Sequence, residues 1–183
     1  MTRSDWLVGG DRGAAAAERI YAAATDLIAR DGVDAFDIDA LAARVHCSRA
    51  TIYRHAGGKA DIRDAVMVRS ASRIVDAVRQ AVDGLSGATR IVTAITVALE
   101  EIRSDALGPL MLSAIRGAEE RSWLSESPIV ARFATDLNGL TDEDAQAAQW
   151  IVRVVLSLLY WPIDDPEAER QMVSRFISPA FAP

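Results

Sequence analysis

The residues best suited to chemistry crowd into one short stretch. Between Ala40 and Arg63 stand the cations Arg44, Arg49, Arg54, Lys59 and Arg63, with Asp61 as the one acid. The local balance is +4 in a chain whose formal net charge is −6. Thr51, Tyr53 and His55 add hydrogen-bonding groups to the same stretch. Cations and polar groups set together in this way suit a polyanion, because neutralised phosphates supply much of a protein's affinity for DNA. An acidic composition by itself argues against a nucleic-acid partner, so a basic island within it carries the stronger signal. Lys59 is the only lysine of the chain and follows Gly57-Gly58. At the opening of a helix, a cation and free backbone N–H groups can meet one phosphate.

Other constellations carry less. His46, Cys47 and His55 lack a fourth ligand and the usual zinc spacing. Gly57-Gly58-Lys59 lacks the full phosphate-loop motif and follows no strand. Glu119-Glu120 and Asp164-Asp165 are adjacent pairs, suited to solvent or to helix starts rather than to acid–base work. Both histidines fall in the basic stretch, so no Ser-His-Asp or Cys-His set can be assembled. No catalytic residue, no metal and no cofactor is expected.

The elements that position the basic stretch follow from its pattern. Ile38, Leu41, Ala42 and Val45 recur at i, i+3, i+4 and i+7, one apolar helical face, with Asp37 placed to cap it. His46 ends that helix, at a position that often takes positive φ. Ser48 caps a second, shorter helix, Arg49 to Arg54. Ile52 points inward, Cys47 in the turn does the same, and Ala50 is small enough to allow close approach. Helix, tight turn and crossing helix form the helix-turn-helix arrangement, whose second helix enters the DNA major groove. Arg49, in the first turn of that helix, is the candidate base contact.

The run LAARVHCSRATIYRHAGGKADI resembles the DNA-binding signature of the TetR family of transcriptional regulators, and the likeness extends over Ala15 to Ala65. Leu41, Ala42, Ser48, Thr51, Ile52, Tyr53, His55 and Lys59 match it position by position. His46 stands where the family usually has Gly, and Ala56 where it usually has an aromatic residue. The second departure removes core volume that a neighbour must fill. The resemblance implies an all-α fold. An N-terminal three-helix helix-turn-helix DNA-binding domain is joined by a long helix to an α-helical ligand-binding and dimerisation domain. It also implies double-stranded operator DNA as partner, with Thr51, Tyr53, His55 and Lys59 positioning the helix on phosphates; the basic stretch and its second helix add Arg44, Ser48, Arg49, Ala50 and Arg54 as candidate DNA contacts.

The totals agree. A chain of 183 residues, half of them apolar, suits one or two small domains with a substantial core. One cysteine allows no internal disulfide and fits a reducing cytosol. The segment MTRSDWLVGGDRG has no apolar core long enough for a signal peptide. The longest apolar run, Trp150 to Ile163, is interrupted by Arg153 and is short for a bilayer. A soluble, cytoplasmic protein with no membrane partner is expected.

Three regions are expected along the chain: a flexible arm at 1–13, a DNA-binding domain at 14–62, and a ligand-binding and dimerisation domain at 63–183. The first helix spans Ala14 to Arg30, and a fourth runs from Lys59 to about Val82. Later helices end near Ser104, Arg116, Leu137, Tyr160 and Ile177, the last three opened by Ser127-Pro128, by Thr141-Asp142-Glu143-Asp144 and by Asp165-Pro166. In QWIVRVVLSLLYW almost every position is apolar, and such a helix must be covered on all sides. Ile151, Val154, Val155, Leu158 and Leu159 form one stripe, while Trp150, Leu156 and Tyr160 lie on other sides. A homodimer through Asp142–Tyr160 and Pro166–Ile177 is expected, with that stripe as its interface. Met111, Ile115, Trp123, Phe133, Trp150 and Tyr160 are candidates to line a pocket for a largely apolar small-molecule effector.

The reading is a ligand-responsive, one-component transcriptional regulator, a repressor released from DNA by its effector. The alternative is a helical enzyme or small-molecule carrier that keeps the head only as a structural unit. A DNA binder keeps Arg49, Arg54 and Lys59 on one exposed face, which a carrier has no need to do.

Overall fold

Helix α1, Asp5–Asp31, opens the computed structural model, which describes residues 5–114, 135–140 and 145–181. No strand occurs among the described residues, in agreement with the all-α expectation. The chain divides into two compact units, Met1–Ala71 and Ser72–Pro183.

In the first unit, α1 is followed by α2 (Ile38–Val45), α3 (Arg49–Ala56) and the start of α4 (Lys59–Ala81). The backbone is helical from Asp5, inside the segment expected to be an arm. The alanine run 14–17 favours helix strongly, and the helix continues back from it. Gly32, at φ 88°, ends α1 by donating its N–H to the Ile28 carbonyl at 2.9 Å, the left-handed close that glycine adopts most easily. Ile20, Ala24, Leu27 and Ile28 of α1 are buried, the face that the periodicity predicts. Phe36, Leu41, Ile52 and Ile62 are enclosed to within 1 % of full burial, and Ala56 lies in the same core.

The second unit takes the rest of α4 together with α5 (Gly87–Ser104), α6 (Gly108–Ala114), α7 (Ala145–Tyr160), α8 (Pro166–Ile177) and a closing 3₁₀ turn, Ser178–Phe181. Ile91, Ile95 and Leu99 of α5 pack with Ile151 and Leu158 of α7 and with Val173 and Ile177 of α8. Gly108 begins α6 where a Cβ would stand 2.0 Å from the Ile102 carbonyl oxygen. Only glycine permits that turn of chain against the end of α5. Asp165 caps α8 through the Glu167 N–H at 2.9 Å, with Pro166 in the first turn. The helix starts expected at Ser127-Pro128 and Thr141–Asp144 lie outside the described residues.

Two polar clusters bind this unit together. The Glu169 side chain is 7 % exposed and takes both ends of the Arg103 guanidinium, at 2.7 and 2.9 Å. Arg103 also donates to the Leu158 carbonyl at 2.9 Å, so one side chain of α5 fastens both α7 and α8. The hydrogen bonds from Arg103 hold the Glu169 carboxyl below the usual carboxylate range, against the opposing effect of burial. The second cluster centres on Arg90. Its guanidinium donates to the carbonyls of Val82 and Leu85 at 3.0 and 3.3 Å, and to those of Asp136 and Leu137 at 3.2 and 2.9 Å. The end of α4 and the segment 135–140 are thereby tied to α5.

One expectation is corrected here. Ile151 and Leu158, assigned to an intersubunit face, are 3 % and 7 % exposed within the single chain, and Val154, Val155 and Leu159 pack against the same core. The apolar stripe is the side that α7 turns to its own α5 and α8. The opposite side carries Gln149, Arg153 and Ser157 and is more polar than the run of apolar letters suggests. Apolar surface remains open at Trp161 and Phe176, 74 % and 66 % exposed.

Candidate nucleic-acid interface

The first turn of α2 is set by Asp37, whose carboxylate accepts from the N–H groups of Asp39 and Ala40 at 3.1 and 3.3 Å. Its last turn closes at His46, which sits in the left-handed region at φ 54° and ψ 45°. Among the described residues it is the one non-glycine with positive φ. The chain then reverses within two residues. Ser48 caps α3, its hydroxyl accepting from the Thr51 N–H at 3.2 Å and standing 2.9 Å from the Thr51 hydroxyl. Cys47 is half-buried rather than part of the core.

The orientation of α3 follows from what it buries. Ile52 and Ala56, one helical turn apart, face the core. Ala50 and Arg54 therefore project from the opposite side, and both are exposed. Tyr53 flanks them and is exposed, Thr51 and His55 are half-buried at the sides, and Arg49, three residues before Ile52, is exposed at the open first turn of the helix. Arg54 has no ion-pair partner among the described residues. Lys59 is exposed at the N-terminus of α4, and its ammonium donates to the Asp34 carbonyl at 3.2 Å. The N–H of Gly58 donates to the Asp61 carboxylate at 2.8 Å, so that donor is already taken in the free chain. Gly57, at φ 83°, permits this closure, since a Cβ there would meet Asp61 Oδ2 at 2.7 Å.

Charge is arranged less simply than counting suggests. Arg49 is paired with Asp39, which lies just outside the counted stretch, and Arg44 is paired with Asp26 of α1 at 3.1 Å. Arg63, also counted, is half-buried, with its Nε enclosed. Of the five, Arg54 and Lys59 are the exposed cations without an ion pair among the described residues. Asp39 and Asp26 were missed because the folded chain, not sequence proximity, brings them there. The position of Asp39 one helix before the basic residues was the available signal.

The pocket candidates are only partly brought together. Tyr160 donates its hydroxyl to the Leu112 carbonyl of α6 at 2.9 Å, next in sequence to Met111. Trp150 lies about 15 Å along α7 from Tyr160, is 41 % exposed, and meets the Phe181 ring at a tilt, 6.3 Å between centroids. Ile115, Trp123 and Phe133 lie outside the described residues.

A short capped helix presented by a three-residue turn, with its core face fixed by Ile52, defines a helix-turn-helix protein. Comparison with known proteins agrees. Residues 20–66 match the family described as bacterial regulatory proteins, tetR family. Two Mycobacterium tuberculosis proteins, from strains CDC 1551 and H37Rv, are each named as an HTH-type transcriptional regulator. Each is 29 % identical over 189 residues, covering 100 % of this chain and 93 % of its relative. Among solved structures, the TetR family repressor AlkX from Dietzia sp. strain DQ12-45-1b, implicated in biodegradation of n-alkanes, is similar with TM-score 0.55 and 19 % identity over 90 % of this chain and 94 % of that one. A TetR-like transcriptional regulator from Rhodococcus sp. RHA1 gives TM-score 0.57 and 21 % identity over 86 % and 90 %. Residues 20–66 thus match the tetR family, and the chain as a whole is similar to HTH-type transcriptional regulators and shares the fold of TetR-family structures. No helix among the described residues is long and apolar enough to cross a membrane.

Proposed function

We propose that this regulator is a one-component repressor, that it binds operator DNA as a homodimer through α3, and that a small-molecule effector in the second unit releases it. The observation that carries the reading is the outward face of α3. Ala50 and Arg54 stand opposite the buried Ile52 and Ala56, beside exposed Tyr53, and Arg49 is exposed at the first turn of the same helix. A helix serving only as structure has no need of such a face. The carrier or enzyme alternative is not favoured on this ground.

Arg49 is assigned to a base edge, because the first turn of a recognition helix reaches furthest into the groove. Arg44, Arg54 and Lys59 are assigned to phosphates, with Ser48, Thr51, Tyr53 and His55 at the margins of the contact. Lys59 exchanges the Asp34 carbonyl for a phosphate oxygen. Dimerisation is assigned to α7 and α8, and the exposed Trp161 and Phe176 support a partner there. The experiment is capture of genomic fragments by the full chain at increasing salt. A few discrete fragments, retained longer than bulk DNA, support the reading. Equal recovery of all fragments, or none, contradicts it.

A further inference from the structure

Arg49 is held by one edge only. Its Nε and Nη2 face Oδ1 and Oδ2 of Asp39. A guanidinium presents five N–H donors in a rigid fork. The side edge, Nε with one hydrogen of Nη2, is taken by the carboxylate. The end edge, Nη1 with the other hydrogen of Nη2, is open.

Two parallel donors at that edge require two acceptors side by side. In the major groove guanine offers them, at O6 and N7. Adenine offers an acceptor beside a donor, thymine an acceptor beside a methyl group, and cytosine a donor. Asp39 has its backbone held in the first turn of α2. It occupies the second position of α2, where a negative charge is favoured by the helix dipole, and its N–H is held by the Asp37 cap at 3.1 Å. A phosphate would be served as well by any edge of the guanidinium, and a carboxylate beside it would repel that phosphate. An acid paired with the side edge is therefore suited to a base contact and unsuited to a backbone contact.

We infer that Asp39 is a positioning residue that sets Arg49 for end-on reading of guanine, so that the Asp39–Arg49 pair is one guanine-selective element in each half-site. The inference rests on the assignment of Arg49 to a base made above.

Selection from randomised duplexes with the full-length chain and with the variants Asp39→Asn and Arg49→Ala tests it, together with titration of a selected duplex and its single-base variants. Circular dichroism confirms that each variant is folded. Should Asp39→Asn unfold, Asp39→Ser, also suited to a first helical turn, gives the same readout. The wild-type chain should require guanine at one position per half-site, and Arg49→Ala should lose that preference alone. Asp39→Asn should weaken the same preference by roughly fivefold or more, while its affinity for random-sequence DNA holds or rises because an acid has been removed. Loss of binding to all sequences alike would mark Asp39 as merely structural. An unchanged guanine preference in Asp39→Asn, or a uniform gain on every sequence, overturns the inference while Arg49 keeps its base. An unchanged preference at every position in Arg49→Ala removes the base assignment itself, and the inference with it.

Discussion

His46 shows how one side chain fixes the turn on which α3 depends. A non-glycine residue in the left-handed region is strained by about 1–2 kcal/mol, and His tolerates the region better than β-branched residues do. His46→Val should lower unfolding stability by about 1–2 kcal/mol, whereas His46→Gly should be neutral or slightly stabilising. Chemical denaturation of both variants checks the ordering. Lys59→Ala should weaken specific and non-specific binding alike and lower the salt slope by about one unit. Anisotropy titrations across salt read it, and an unchanged slope removes Lys59 from the phosphate set. At this scale the sequence was informative wherever cause and effect are neighbours. Asp37, Ser48 and Asp165 cap helices that begin one residue later, and His46 ends the helix it adjoins. The acids facing Arg49 and Arg44 were not legible, because they lie 10 and 18 residues away and only the folded chain brings them there.

Among the elements, α7 marks where sequence pattern alone falls short. Its periodicity correctly identifies a buried stripe, but a stripe does not say whether its cover comes from the same chain. Here α5 and α8 supply it, and Ile151 and Leu158 are consumed in the process. The Arg103–Glu169 pair was likewise invisible, its members standing 66 residues apart. That pair predicts a pH dependence. Glu169 has a carboxyl held below its unfolded value, so the stability it contributes is fully present above the unfolded pKa, about 4.3. It is lost as pH falls through the lower, folded value. Glu169→Gln should cost about 2–3 kcal/mol at neutral pH, since a partly buried Arg103 is left without its counter-charge, and the acid limb of its stability curve should be shallower than that of the wild type. Thermal melts between pH 3 and 7 check both. A variant with the wild-type acid limb would assign the acid sensitivity to other carboxylates.

For the whole molecule, the all-α class and the helix-turn-helix with its likeness to the tetR family were legible, because they follow from composition, caps and one dense motif. The partner surface was not, since it depends on which faces remain after the chain has covered its own. Trp161 and Phe176 are the most open aromatic residues among the described residues of the second unit. Trp161→Asp combined with Phe176→Asp should raise the dimer dissociation constant at least tenfold, given about 1.5–3 kcal/mol for each large apolar side chain buried at an interface. The melting of the isolated chain should change little, because both side chains are exposed within it.

Operator binding by a homodimer requires two heads on one duplex, and the stoichiometry of the complex tests that most directly. Sedimentation of the wild-type chain on its selected duplex should show two chains of 19.7 kDa each. The protected sequence should hold two inverted half-sites whose centres are separated by about 34–36 Å, one helical turn. A single chain on an asymmetric site, unchanged as protein is added, would contradict it.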